Sequence, residues 1–110
     1  MRWRHVPPIA ACAGALLLAS PPAAAAPHTY TFVMDKLKFG PVPTGMHQGD
    51  VLILDNRDMF RHTATADDHH SFDVDLMPGQ RKKMVLTKVG TFPFYCRYHP
   101  NMKAVLVIGK

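Results

Sequence analysis

The sequence predicts an all-β domain, a sandwich or a barrel, and three features carry that prediction. Apolar residues recur at the short period of strands, whose side chains point alternately to opposite faces. Gly or Pro interrupts the pattern about every eight to twelve residues, the spacing of short strands joined by tight turns. No segment of helical length shows the spacing of an amphipathic helix. With 110 residues, 47% hydrophobic and 19% charged, the chain has globular composition and room for one small domain.

Residues 29–34 alternate, with Tyr30 and Phe32 on one side, and a turn region containing Gly40, Pro41, Pro43 and Gly45 follows. Gly49-Asp50 leads into Val51-Leu52-Ile53-Leu54, a continuous apolar run that suits a central strand. Residues 56–60 read as loop, 62–66 as a short strand and 67–71 as a polar loop carrying His69 and His70. Pro78-Gly79 marks a turn, and residues 81–87 form a strand with Met84 and Leu86 facing one way. After the turn at Lys88-Val89-Gly90, residues 91–96 alternate with Phe92, Phe94 and Cys96 on one face. Pro93 cannot donate to a ladder, which predicts an edge strand or an outward, unpaired position there. Residues 103–108 close the domain as an apolar final strand.

The first residues read differently. Arg2 and Arg4 make a basic head, residues 9–18 an apolar run, and residues 20–26 a stretch of small residues and proline, the pattern of a secretory signal peptide. The run is too short to span a bilayer, which takes about 20 residues. The expected division is a leader over 1–25, cleaved near Ala25 and Ala26, and a mature domain over 26–110, exported to the periplasm with no stable membrane insertion. His28 does not make an amino-terminal metal clamp with the backbone, because Pro27 has no N–H to give up. Cys12 weakly resembles a lipid-acceptor cysteine, but most of the apolar run lies after it instead of before, so lipidation is not expected. Its removal leaves Cys96 as the sole cysteine of an exported chain. A lone thiol cannot close an internal disulfide and is a liability in an oxidising compartment; metal ligation explains its presence.

The formal charge of +5 falls to about +3 once Arg2 and Arg4 are gone, and all eight acidic residues are Asp. The basic side chains are scattered without aromatic interleaving, which gives nucleic-acid binding no support.

The chemistry is concentrated in Cys96-Arg97-Tyr98-His99-Pro100-Asn101-Met102. A thiolate, an imidazole and a weak thioether belong to the ligand set of a mononuclear blue-copper centre, which takes two His, one Cys and a long axial Met. Ligands three residues apart cannot share one face of a strand, so they require a loop. The loop lacks the second imidazole; His62, His47, His69 and His70 are the candidates elsewhere.

Beyond the loop, Gly49-Asp50, Asn56-x-Asp58, His62, Phe72-Asp73, Leu76-x-Pro78-Gly79, Gly90-Thr91-Phe92 and Tyr95-Cys96-x-x-His99-Pro100-x-Met102 carry a resemblance over nearly all of residues 28–109. On these motifs the chain resembles the cupredoxins, the type 1 blue-copper family. Its two-residue gap between His99 and Met102 is similar to the short loop of amicyanin rather than the longer one of plastocyanin. The resemblance implies a Greek-key β-sandwich of about seven to eight strands with one copper ion at one end, ligated by His62, Cys96, His99 and Met102. It selects His62 because Asp58-x-x-x-His62-Thr63 occupies the family's position for the first ligand. His69-His70 then reads as a solvated pair with room for a weaker second metal contact, and His28 and His47 as surface. Thr63 stands where the family has Asn, and its hydroxyl can still bond to backbone near Cys96. Arg97 inside the loop adds a positive charge that favours the reduced metal or meets a partner.

The expected function is electron transfer by a monomer cycling Cu(II)/Cu(I), with redox partner proteins docking transiently near His99 and Pro100. The alternative is a copper carrier or chaperone using the same ligands, though Met46, Met59 and Met77 are dispersed where a carrier would cluster them. A structural zinc site gains little from Met102. An enzyme is the least expected reading, since four ligands leave no open position for substrate.

Overall fold

The computed structural model describes residues 2–10, 13–18 and 26–110. Cys12 and the leader's end at Ala25 lie outside the described residues. Residues 2–10 and 13–18 form no strand or helix and are exposed, including Ile9 and Leu16 to Leu18 of the apolar run. No helix among the described residues is long and apolar enough to cross a membrane.

Nine strands follow: β1 Thr29–Asp35, β2 Lys38–Phe39, β3 Met46–His47, β4 Val51–Asn56, β5 His62–Ala66, β6 Asp73–Leu76, β7 Arg81–Val85, β8 Gly90–Tyr95 and β9 Lys103–Gly109. They form two sheets, ordered β2-β1-β4-β7 and β3-β9-β8-β5-β6, so the expected all-β sandwich is what the chain builds. β4 is the interior strand its apolar run predicts, parallel to β1 and antiparallel to β7. β2 and β3 are two-residue pairings inside the predicted turn region, too short to carry any periodicity. β6 was not expected: Asp73-Val74-Asp75-Leu76 does alternate, but over four residues only, and Asp is a poor strand former.

Pro93 does not mark an edge. β8 lies between β9 and β5, with Pro93 opposite Val105. Its carbonyl accepts the Asp67 N–H at 2.9 Å, and since N and C=O of a strand residue point the same way, its nitrogen also faces the β5 side. The β5 pairing ends one residue earlier, at Ala66↔Phe94, so the missing donor costs the ladder nothing.

The sheets pack through Phe32, Met34, Leu52, Leu54, Leu76, Leu86, Phe94, Leu106 and Ile108. Phe94 is the centre of an aromatic cluster, with ring centroids 5.7 Å from Phe32, 5.0 Å from Phe39 and 5.8 Å from Phe72. Beside this core, one end of the sandwich gathers the β8–β9 loop, the start of β5 and the segment between β4 and β5. Asn56 ties that end together: its fully buried side-chain amide donates to the carbonyls of Phe60, Leu76 and Met77, while its oxygen accepts the Asp58 N–H.

Candidate metal centre

The antiparallel neighbours β8 and β9 are joined by a hairpin loop that starts at Cys96 and ends at Met102. The loop is closed by its own backbone: Cys96 N–H donates to the Met102 carbonyl at 3.1 Å and Met102 N–H to the His99 carbonyl at 2.8 Å. Cys96 and Met102 are buried, whereas His99 is half-buried and reaches the surface. The spacing of two residues between successive side chains therefore becomes convergence, as a loop permits and a strand does not.

His62 opens β5, fully buried. The antiparallel register of β5 with β8, Thr65 opposite Tyr95, carries Cys96 past the paired part of β8 to the side of His62, 34 residues away in sequence. Cys96 Sγ lies 3.7 Å from His62 Nδ1 and 3.8 Å from His99 Nδ1. The ligand-type atoms of His62, Cys96 and His99 all fall within 4.8 Å of one another, the one such group among the described residues.

The outer side of His62 is held by an acid. His62 Nε2 lies 2.8 Å from Asp58 Oδ2, so the ring donates its Nε2–H to the carboxylate and turns a free Nδ1 lone pair toward Cys96. Asp58 also accepts the N–H groups of Leu37 and Met59, each at 2.8 Å. The bond from His62, followed by that from the Leu37 amide, holds the Asp58 carboxyl below its ordinary range despite burial. The Leu37 donor comes from a strained place: Lys36 and Leu37, at φ 54° and 57°, are non-glycine residues in the left-handed region between β1 and β2. That turn's cost, about 1–2 kcal/mol per left-handed residue, is offset in part by delivering an N–H to a buried carboxylate.

Two bonds support the thiol end. Thr63 N–H points at Cys96 Sγ at 3.4 Å, and Thr63 Oγ1 accepts the Arg97 N–H at 2.9 Å, the backbone bond near Cys96 that the sequence anticipated. Arg97 itself is not a lone charge. Its guanidinium lies 3.4 Å from Asp73 and 3.8 Å from Asp75. Asp75 is shared with Arg61, and Arg61 sits over the Tyr98 ring at 5.0 Å. His28, His47, His69 and His70 are exposed, and none of them joins the cluster.

Two imidazole nitrogens and a cysteine sulfur converging in a largely buried site, with a thioether at the end of the same loop, form a donor set that suits one copper ion. The family model of the Cupredoxin-like domain matches residues 8–108. The chain belongs to the cupredoxin-like family. No curated protein matches the sequence. Among solved structures, this cupredoxin is similar to the Cu(I) form of a methionine-to-alanine mutant of amicyanin, with 21% identity, 78% of this chain and 87% of that one covered, and a TM-score of 0.63. It is similar to a reduced tryptophan-to-tyrosine mutant of amicyanin with the same identity and coverage and a TM-score of 0.62. It also matches the Cu-containing nitrite reductase of Thermus scotoductus, with 25% identity and a TM-score of 0.62, covering 84% of this chain but 25% of the enzyme. At these identities the amicyanin matches speak to the fold of the cupredoxin.

Three supporting residues of the cupredoxin's site were not identified as such from sequence. Asp58 carried a signal, since it stands four residues before His62 and follows an Asx-type turn started by Asn56. Asp73 stood within the Phe72-Asp73 motif and Asp75 in none, and neither showed its role, because their partners Arg97 and Arg61 are distant in the chain.

Proposed function

We propose that this cupredoxin is a small blue-copper electron carrier that holds one copper ion through His62, Cys96, His99 and Met102. The observation that carries the reading is the approach of His62 Nδ1 and His99 Nδ1 to within 3.7 and 3.8 Å of Cys96 Sγ. Copper held there supplies a one-electron Cu(II)/Cu(I) couple. The chain's part is rigidity and insulation. Asp58 fixes the His62 tautomer, Thr63 donates to the sulfur, and the Cys96–Met102 backbone bond closes the loop, so the donors keep their places whichever charge they face. Only His99 reaches solvent, which makes its ring edge the exit for an electron.

Phe60 packs edge-on against His99 with centroids 5.9 Å apart, and Met59, Phe60, Met77 and Tyr98 are exposed. They support a small apolar docking end around His99 and Pro100 for transient redox partners, with this chain acting as a monomer. A full set of four donors leaves no open position for substrate, which supports a carrier rather than an enzyme. The exposure of Ile9 and Leu16 to Leu18, the large apolar residues described in the run before β1, supports its reading as a leader and the periplasm as the working compartment.

The test is to load the purified mature domain with Cu(II) and record the visible spectrum. An intense thiolate-to-copper band that bleaches reversibly on reduction is expected. Its absence, or its survival in Cys96→Ser, overturns the reading. Ready transfer of the copper to a competing apo-protein favours the carrier alternative.

A further inference from the structure

One polar chain on β5 and β6 runs in a single direction, and the direction follows from counting protons. Asp73 is a carboxylate and can only accept, so the bond between Thr65 Oγ1 and Asp73 Oδ1, 2.8 Å, is donated by Thr65. A threonine hydroxyl has one proton. The contact between Thr63 Oγ1 and Thr65 Oγ1, 2.9 Å, is therefore donated by Thr63. With that proton spent, Thr63 Oγ1 accepts the Arg97 N–H, at 2.9 Å. The chain thus reads from the Arg97 amide through two hydroxyls to the Asp73 carboxylate, and Thr63 and Thr65 are buried at 0% and 1% exposure, out of competition from water.

The same Asp73 oxygen that ends the chain faces the Arg97 guanidinium at 3.4 Å. Arg97 is held at both ends, its backbone at the start of the chain and its side chain at the finish. As an exposed ion pair this contact adds little stability. Its placement is what matters, because Arg97 directly follows Cys96.

We propose that Asp73 is a positioning residue for the metal loop. Through Thr65 and Thr63 it polarises and fixes the peptide that follows Cys96, and with Asp75 it neutralises the guanidinium next to the Cys96 sulfur. The redox consequence rests on the blue-copper reading above; the backbone consequence does not.

The two arms are separable. In the apo-protein, Thr65→Val cuts the relay with both charges in place, and Asp73→Ala cuts the relay and the ion pair. Both leave the Thr63 hydroxyl facing the Arg97 N–H but free to turn, and are expected to speed hydrogen exchange at the Arg97 amide by about tenfold, the equivalent of one good hydrogen bond. Thr65→Ser, which keeps a hydroxyl, is expected to restore the wild-type rate. In the copper-loaded protein, Asp73→Asn keeps an acceptor oxygen but removes the nearer of the two carboxylates that face Arg97, leaving Asp75, which is shared with Arg61. Its reduction potential is expected to rise, and by more than in Thr65→Val, because a less compensated positive charge favours Cu(I). Exchange at Arg97 within about twofold of wild type in both relay variants overturns the proposal. So does an equal acceleration at the Phe94 and Leu106 amides, which would mean general loosening, and so does a potential in Asp73→Asn that stays level or falls. A wild-type protein without a blue band would sink the proposed function, while the exchange comparison would still decide the hydrogen-bond chain.

Discussion

Asn56→Ala tests the tie that gathers the metal end. The Asn56 side chain is fully buried, and its amide nitrogen lies 2.8 Å from the Phe60 carbonyl, 3.1 Å from that of Leu76 and 3.2 Å from that of Met77. Two amide protons serve three carbonyls, so the side chain donates two bonds' worth and accepts a third from Asp58 N–H at 3.0 Å. Each bond is worth about 1 kcal/mol net, and a buried group left without a partner costs about 1–3 kcal/mol. The Phe60 and Met77 carbonyls lie near the surface and can turn to water, whereas the Leu76 carbonyl and the Asp58 amide cannot. The expected loss is about 3–5 kcal/mol, a large share of the roughly 5–15 kcal/mol available to a small domain. The assay is urea unfolding of the apo-protein followed by circular dichroism, since the sole tryptophan, Trp3, lies in the expected leader. A loss below about 1 kcal/mol would refute the reasoning, because it would mean that water replaces Asn56 at all four contacts.

Further outcomes follow from the same contacts. Phe94→Ala removes the hub of the aromatic cluster and is expected to cost about 3–5 kcal/mol, read from the shift in the urea midpoint. Asp58→Asn removes the charge behind His62 and is expected to weaken copper retention about 10–100-fold, measured by competition with a chelator, with the fold intact by circular dichroism. Acid should also destabilise the apo-protein. The Asp58 carboxyl is held low by His62 and the Leu37 amide, Asp50 by the His47 and His28 amides, and Asp68 falls from 3.8 to about 2 through Ser71. Each folded carboxyl binds its proton less readily than the unfolded one, so the stabilisation is full above the unfolded value and is lost as pH falls through the folded ones. Urea midpoints compared at about pH 6 and about pH 3 should therefore drop; an unchanged midpoint would remove these carboxylates from the account.

Legibility differed from element to element. β4 and β5 were readable because an apolar run and a short Thr-rich segment between loop residues mark strands locally. β6 was not, since it is four residues long and two of them are Asp, a poor strand former, accommodated here because Thr65, Arg61 and Arg97 meet them. The two alternatives posed by Pro93 were decided by register, as β8 is interior but the pairing on the proline's side has already ended. Arg97 read as a loop charge with no partner in view, and the fold gives it two.

By itself the sequence determined the strand period, the turn positions and the loop from Cys96 to Met102, because each depends on residues within a few positions of one another. The resemblance it carries also pointed to His62, through the motif at Asp58-x-x-x-His62-Thr63. Only the tertiary structure decided that a strand starting 34 residues before Cys96 lies beside it, which acid orients His62, and which carboxylates compensate Arg97. Periodicity says which face of a strand is buried. Strand pairing, and with it the approach of donors distant in the chain, depends on register and twist that the two sheets set together.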